Sequence, residues 1–238
     1  MPFSIARTRR SKGVNNLNEK KLVGEKAVEY IRDGMVVGLG TGSTVYYTIM
    51  KLGQLVKEGL TIQGIPTSVQ TEVLAKKVGI PIGNFKEIYQ IDIAIDGADE
   101  IDSNLNLVKG GGGALLREKI IANAAKTFIV VATPSKLVEN LGTQPLPVEV
   151  VPFGVELTEK HLRELGGNPV LRVVDGIPFR TDNGNYIFDC SFSDLSQPIH
   201  LEKKLNLIPG VVENGLFIGM ANMVISLNRQ NDPIIMER

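Results

Sequence analysis

The sequence is short of the residues from which disulfide scaffolds and zinc centres are built: it has one cysteine, Cys190, two histidines, His161 and His200, and no tryptophan. A single thiol closes no internal disulfide. Neither it nor the separated histidines has metal-ligand spacing, so these residues offer no metal site, and a reducing, cytoplasmic setting fits. An excess of charge is also missing. Lys plus Arg total 26 and Asp plus Glu 26, which leaves nothing to drive phosphate-backbone binding and argues against nucleic acid as a partner. No run approaches the ~20 apolar residues of a membrane-spanning helix, so a soluble protein with no membrane partner is expected. Low-complexity linkers and internal repeats are absent too.

What is present suits a packed enzyme. At 238 residues, 43% of them hydrophobic and 22% charged, the chain can bury a large core, as one α/β domain or, as expected here, as a main domain with a smaller companion. The first 21 residues are locally basic, with Arg7, Arg9, Arg10, Lys12, Lys20 and Lys21 against Glu19 alone. They read as a disordered lead-in, with a targeting remnant or a contribution to the site as alternatives. Apolar residues at helical spacing then predict a helix over 19–32, closed by Asp33-Gly34. The runs MVVGLG (35–40), TIQGIP (61–66), IDIAID (91–96) and TFIVVAT (127–133) read as buried strands. Helices are predicted from near Ser43, over 68–79 and over 113–126. Strands alternating with helices imply an α/β fold built on a doubly wound parallel sheet.

After residue 141 the order becomes β-α-β-β-α-β, with a hairpin through Asp182-Asn183-Gly184, as in a ferredoxin-like module. The tail MVISL is expected to return to the main sheet. Residues 1–141 plus 212–238 would then form the larger domain and 142–211 the smaller.

Ligands of open parallel sheets sit beyond the carboxyl ends of the strands, and three such ends carry chemistry. In GLGTGST (38–44) the glycines admit an anion to backbone N–H groups, Thr41, Ser43 and Thr44 add hydroxyls, and a helix N-terminus follows. The same turn can serve only to pack a helix on a sheet. A dinucleotide would need an acid near the next strand end, where the sequence reads Thr67-Ser68. In DGADE (96–100), Asp96 and Asp99 flank a glycine and can bind sugar hydroxyls or shift each other's pKa. An acidic surface turn with Glu100 and Asp102, or a magnesium site, are the alternatives. The third end is KGGGGALLREK (109–119), where Lys109 precedes four glycines whose entropic cost points to close approach of a ligand. On the helix beyond, Ala114, Leu115, Glu118, Ile121, Ala122 and Ala125 share one stripe, while Arg117 and Lys119 point away. Glu118 is therefore expected on the apolar face, desolvated toward a general-base pKa of ~6 to 7, although a lone helical glutamate more commonly faces solvent.

These three segments in this order closely resemble the type A ribose-5-phosphate isomerases. The likeness runs from about residue 19 and includes SKLVENLGTQPLPVEVVPFG (135–154), TDNGNYIFD (181–189) and IPGVVENGLF (208–217). The resemblance implies a Rossmann-like catalytic domain, a smaller ferredoxin-like lid, a homodimer or homotetramer, no cofactor and no metal. It further implies a sugar-phosphate substrate: interconversion of ribose 5-phosphate and ribulose 5-phosphate through an enediolate, in the non-oxidative pentose phosphate pathway. Carried over by position, the substrate loops fall on Thr41, Gly42, Ser43 and Thr44, on Asp96, Gly97, Ala98 and Asp99, and on Lys109, Gly110, Gly111 and Gly112. The proton acceptor falls on Glu118, and two further lysines on Lys136 and Lys20. The basic residues before Glu19 have no counterpart.

One base on one face can move the proton between adjacent carbons, a task assigned to Glu118, with Lys109 and the glycine-loop N–H groups as donors to the oxyanion. Ring opening is assigned to Asp96, with Asp99 and Lys109 as partners. A non-catalytic sugar-phosphate sensor would have no need of the desolvated Glu118. A dinucleotide oxidoreductase would need the acid missing near residue 67. Turnover of ribose 5-phosphate should survive dialysis against EDTA; activity lost there and restored by magnesium would overturn the cofactor-free expectation.

Overall fold

Short apolar runs alternate with amphipathic segments through the first half of the chain, and the backbone follows that alternation. A computed structural model describes residues 9–238, with side chains from Asn16 onward. Helix α1 (Arg9–Lys26) and a 3-10 turn (Ala27–Tyr30) lead into β1 (Val36–Leu39), α2 (Val45–Lys57), β2 (Gln63–Pro66), α3 (Val69–Val78) and β3 (Ile91–Asp96). Helix α4 (Leu115–Ala124) and β4 (Ala125–Val131) follow. The first helix begins earlier than its apolar period suggests, and its backbone is helical where a disordered lead-in was expected. Arg7 and the side chains of Arg9, Arg10 and Lys12 lie outside the described residues.

From Leu146 the chain builds a second sheet. Its elements are β5 (Leu146–Val150), α5 (Val155–Glu164), β6 (Gly167–Leu171), β7 (Tyr186–Phe192), α6 (Pro198–Asn206) and β8 (Val211–Asn214). The order β8-β5-β7-β6, antiparallel throughout, is the split β-α-β arrangement of a ferredoxin-like unit. The turn at Asp182–Gly184 forms, with Gly184 at φ +81°, but it does not join the paired strands directly. A two-rung ribbon, Val173–Val174 against Ile177–Pro178, is inserted before it. The Asp175-Gly176 turn that makes this ribbon uses positive φ at both residues, a second hairpin signal beside the stronger Asn183-Gly184 pair.

The chain then returns through β9 (Met223–Leu227) and ends in β10 (Pro233–Glu237). The main sheet has the order β10-β9-β4-β3-β1-β2, parallel except for β10. Strand β10 escapes a sequence reading because it is a short edge strand with a proline at its start. Alternation along the strands divides the core into two layers. Val37, Leu39, Ile93, Ile95, Ile129 and Val131 meet α1 to α3, while Ala94, Phe128 and Val130 meet Ile121 and Ala122 of α4. A third cluster, including Leu146, Val148, Leu162, Phe188 and Cys190, belongs to the small sheet.

Helix α4 can lie so close to the sheet because β1 carries Gly38. A Cβ there would stand 2.5 Å from Ile121 Cγ2 and 2.9 Å from Ala94 Cβ. Gly38→Ala should therefore destabilise the fold by about 1–3 kcal/mol through overpacking, read as a lower urea midpoint at unchanged m-value.

Candidate active site

The strand order reverses direction between β1 and β3, and the crevice beyond their carboxyl ends is where an open parallel sheet binds its ligand. A cavity of about 230 Å³ opens there. Of the residues singled out in the sequence it is lined by Lys20, Thr41, Gly42, Ser43, Thr44, Gly97, Ala98, Asp99, Lys109, Gly110, Gly112, Glu118 and Lys136. Asp96 and Gly111 are not on its wall. Ala132 and Thr133 are, at the end of β4, and the sequence reading passed over them although TFIVVAT ends there.

The loop after β1 is built by two partly buried sets of polar contacts. Thr41 donates its N–H to Asp96 Oδ1 at 3.0 Å, and its hydroxyl lies 2.7, 2.8 and 3.1 Å from those of Thr67, Ser68 and Thr71. The Thr41 hydroxyl is thus engaged by neighbouring hydroxyls, while Thr41 itself lines the cavity. Ser43 and Thr44 also line the cavity, at the N-terminus of α2, where Thr44 makes no side-chain capping bond. Gly40 is required by close approach, since a Cβ would sit 2.3 Å from Asp96 Oδ1. Gly24 plays the same part on α1: a Cβ would stand 2.7 Å from the Thr44 carbonyl. The tight crossing brings Lys20, one turn earlier, to the cavity.

At the floor of the crevice Lys109 lies between two carboxylates. Its Nζ is 3.2 Å from Asp96 Oδ2 and 3.3 Å from Glu118 Oε2, and it donates to the Gly97 carbonyl at 2.5 Å. All three side chains are at most 5% exposed. Burial pulls the Lys109 ammonium down, but the charges of Asp96, Glu118 and Asp99 outweigh it and the net direction is upward. One cation cannot neutralise two buried carboxylates. Burial raises Asp96, against Lys109 and the N–H groups of Gly97 and Thr41, which favour its charged form. Burial raises Glu118 too, next reinforced by the Asp96 charge and only partly opposed by Lys109, to about 8. The geometry agrees: Glu118 Oε2 is buried without a hydrogen bond. Its contact with Lys109 has the distance of an ion pair but not the alignment of a donor and acceptor.

The glycine loop connects these groups to the rest of the cavity. Gly111 N–H donates to Asp99 Oδ2 at 2.8 Å, and Asp99 Oδ1 is 3.9 Å from Lys136 Nζ. Asp99 and Lys136 are both partly exposed, so this pair is a mouth and not a floor. Glu100, allowed for as part of a surface turn, is buried and accepts from Gly142 N–H, Thr143 Oγ1 and Gln144 N–H. Lys119 corrects the helical-wheel reading. It does not point to solvent but is 11% exposed at its side chain, ion-paired with Glu213 at 2.7 Å and Glu202 at 3.6 Å on the small unit. The small sheet covers the side of α4 that an isolated helix would leave wet. Arg117 does face outward, 3.5 Å from Asp182. Among the described residues no group of three or more His, Cys, Asp or Glu is placed to hold a metal, and no helix is long and apolar enough to cross a membrane.

Comparison with known proteins gives this geometry a context. The family model for ribose 5-phosphate isomerase A (phosphoriboisomerase A) matches residues 63–231. Ribose-5-phosphate isomerase A of Bacillus mycoides is 54% identical over 210 residues, 88% of this chain and 95% of that protein. The namesake from Parvibaculum lavamentivorans is 48% identical over 219 residues, 89% of this chain and 95% of its own length. Among solved structures, ribose 5-phosphate isomerase A of Methanocaldococcus jannaschii superposes with a TM-score of 0.89 at 42% identity, covering 94% of this chain and all of that one. Ribose 5-phosphate isomerase of Plasmodium falciparum gives 0.89 at 38% identity, covering 93% and 99%.

The raised pKa of Glu118 has a measurable cost to the fold. The unfolded chain releases this proton near the ordinary value of 4.5, whereas the folded chain holds it to about 8, so stability falls as pH rises between the two. Glu118→Gln removes that slope. Its stability relative to the parent should climb between about pH 5 and pH 8 in urea melts, and a pH-independent difference would contradict the titration.

Proposed function

The chain belongs to the ribose 5-phosphate isomerase A family and interconverts ribose 5-phosphate and ribulose 5-phosphate, and from that premise we propose that Glu118 carries the proton between the two carbons. The single observation behind this reading is a buried carboxylate oxygen at the cavity with no hydrogen bond of its own. Such a group is a strong base toward a carbon acid once deprotonated, because neither water nor a donor stabilises its charge. In the forward direction Glu118 removes the C2 proton of the open-chain aldose, leaving an enediolate. It then returns the proton to C1, while the O2 proton leaves as the ketose carbonyl forms and O1 gains one. Lys109 and N–H groups of the glycine loop supply fixed positive ends to the developing oxyanion.

Ser43, Thr44 and the start of α2 hold the phosphate in this reading, with Lys136 and Lys20 as cations around it. Asp99, which faces the cavity, is the better candidate for ring opening. Asp96 lies behind the wall, and its contacts with Lys109 and with the N–H groups of Thr41 and Gly97 suit it to hold both loops. The larger part, residues 1–141 with the end of the chain, serves as the catalytic domain and the part from 142 as a lid, a division supported by the separate apolar cluster of the small sheet; strand β8 (Val211–Asn214) extends the lid to residue 214, beyond the expected boundary at 211. A homodimer or homotetramer is supported by the exposed Val170, Val173, Val174 and Ile177. A cytoplasmic workplace is supported by the lone Cys190, whose thiol burial pushes up to about 12.

Assayed with ribose 5-phosphate, Glu118→Gln should lower kcat by about three or more orders of magnitude with little change in KM. Near-normal turnover by that variant would remove Glu118 as the base.

A further inference from the structure

We infer that Arg172, carried by the small unit, is a positioning residue for the reaction: it fixes the peptide planes of the glycine loop and, through them, Asp99. The inference rests on the reading of the site given above and concerns a residue outside every motif that led to it.

Arg172 follows β6 and is locked at its backbone, donating N–H to the Ile187 carbonyl at 2.8 Å and accepting from Phe179 N–H at 2.9 Å. Its guanidinium makes a fork with Asp189, Nε to Oδ2 at 2.9 Å and Nη2 to Oδ1, so its orientation is set before it meets the loop. The remaining amino group, Nη1, donates to the carbonyls of Gly110 at 2.9 Å and Gly111 at 3.3 Å. Phe179, with the guanidinium 5.8 Å from its ring centre, closes over the same loop: a Cβ on Gly113 would stand 2.5 Å from that ring.

The consequence follows from peptide geometry. In a trans peptide the C=O of one residue and the N–H of the next point in opposite directions within one rigid plane. The Gly110 carbonyl is held by Arg172 and the Gly111 N–H by Asp99 Oδ2, so a single plane is gripped at both ends. The next plane, with the Gly111 carbonyl on Arg172, turns the Gly112 N–H away from the small unit. Gly112 lines the cavity. Consecutive glycines have no side chains to hold these planes, and Gly110 and Gly113 sit at φ +106° and +79°. Without an external clamp the loop would sample many conformers. Arg172 reaches no substrate; it sets the aim of groups that do.

The test is steady-state kinetics of Arg172→Ala and Arg172→Lys with ribose 5-phosphate, run well below each variant's melting temperature. Arg172→Lys keeps the charge and most of the packing but cannot hold Asp189 and two carbonyls at once. Both variants should lose about 10- to 100-fold in kcat with KM little changed, as expected when reacting groups are displaced by about an ångström. Added guanidinium should restore part of the loss in Arg172→Ala and none in Arg172→Lys. A kcat within about twofold of the parent, or a loss confined to KM and indifferent to guanidinium, would overturn the inference. Glu118→Gln measured alongside separates the two readings. Full activity there removes the site assignment itself, whereas an inactive Glu118→Gln with a normal Arg172→Ala removes only the clamp.

Discussion

Everything about this site depends on one buried ammonium shared between two carboxylates. Lys109 stabilises the charge of Asp96, which organises the loop after β1, and leaves Glu118 undercompensated. The asymmetry arises from backbone donors: Asp96 has two N–H groups, and the Glu118 oxygen nearest Lys109 has none. Desolvation alone would raise both carboxyls. Both carboxyls are raised in the folded protein, and backbone N–H donors, which favour the charged form, oppose that rise at Asp96 alone.

The parts of this arrangement that follow from repetition were legible in the sequence. Strands β1 to β4 show as short apolar runs, and the stripe carrying Glu118 is a property of the helical period that survives into the packed protein, with Leu115, Glu118, Ile121 and Ala122 all buried. The split β-α-β order of the second sheet was equally readable. What stayed hidden depends on meetings between distant segments. The inward turn of the Thr41 hydroxyl requires Thr67, Ser68 and Thr71 from the loop after β2. Lys119 looks solvent-facing on a helical wheel because the wheel knows nothing of Glu202 and Glu213. Arg172 has no motif at all, and its importance is visible only when its partners' carbonyls are located.

The two sheets meet on the stretch from Lys109 to Lys119. Its first residue faces the carboxylates of the crevice, its glycines touch Arg172 and Phe179, and its last residue ion-pairs with α6 and β8. A segment bonded on both sides cannot move with either sheet alone. The glycines are thus conformationally permissive in isolation and strongly determined in context, a combination that lets backbone approach a small ligand without side-chain interference.

The return of β9 to the main sheet has a bearing on how the chain reaches this structure. Val130 pairs with Val224, and the whole of the small sheet lies between them in the sequence. During synthesis β4 therefore leaves the ribosome with one edge unpaired, and that edge stays open until the ferredoxin-like segment and the strand beyond it have emerged. The small unit, whose pairings are all internal to residues 146–214, is free to form first. Closure of the larger sheet is then the late, long-range step of folding, and a nascent chain stalled before residue 223 exposes an apolar template for association with its neighbours.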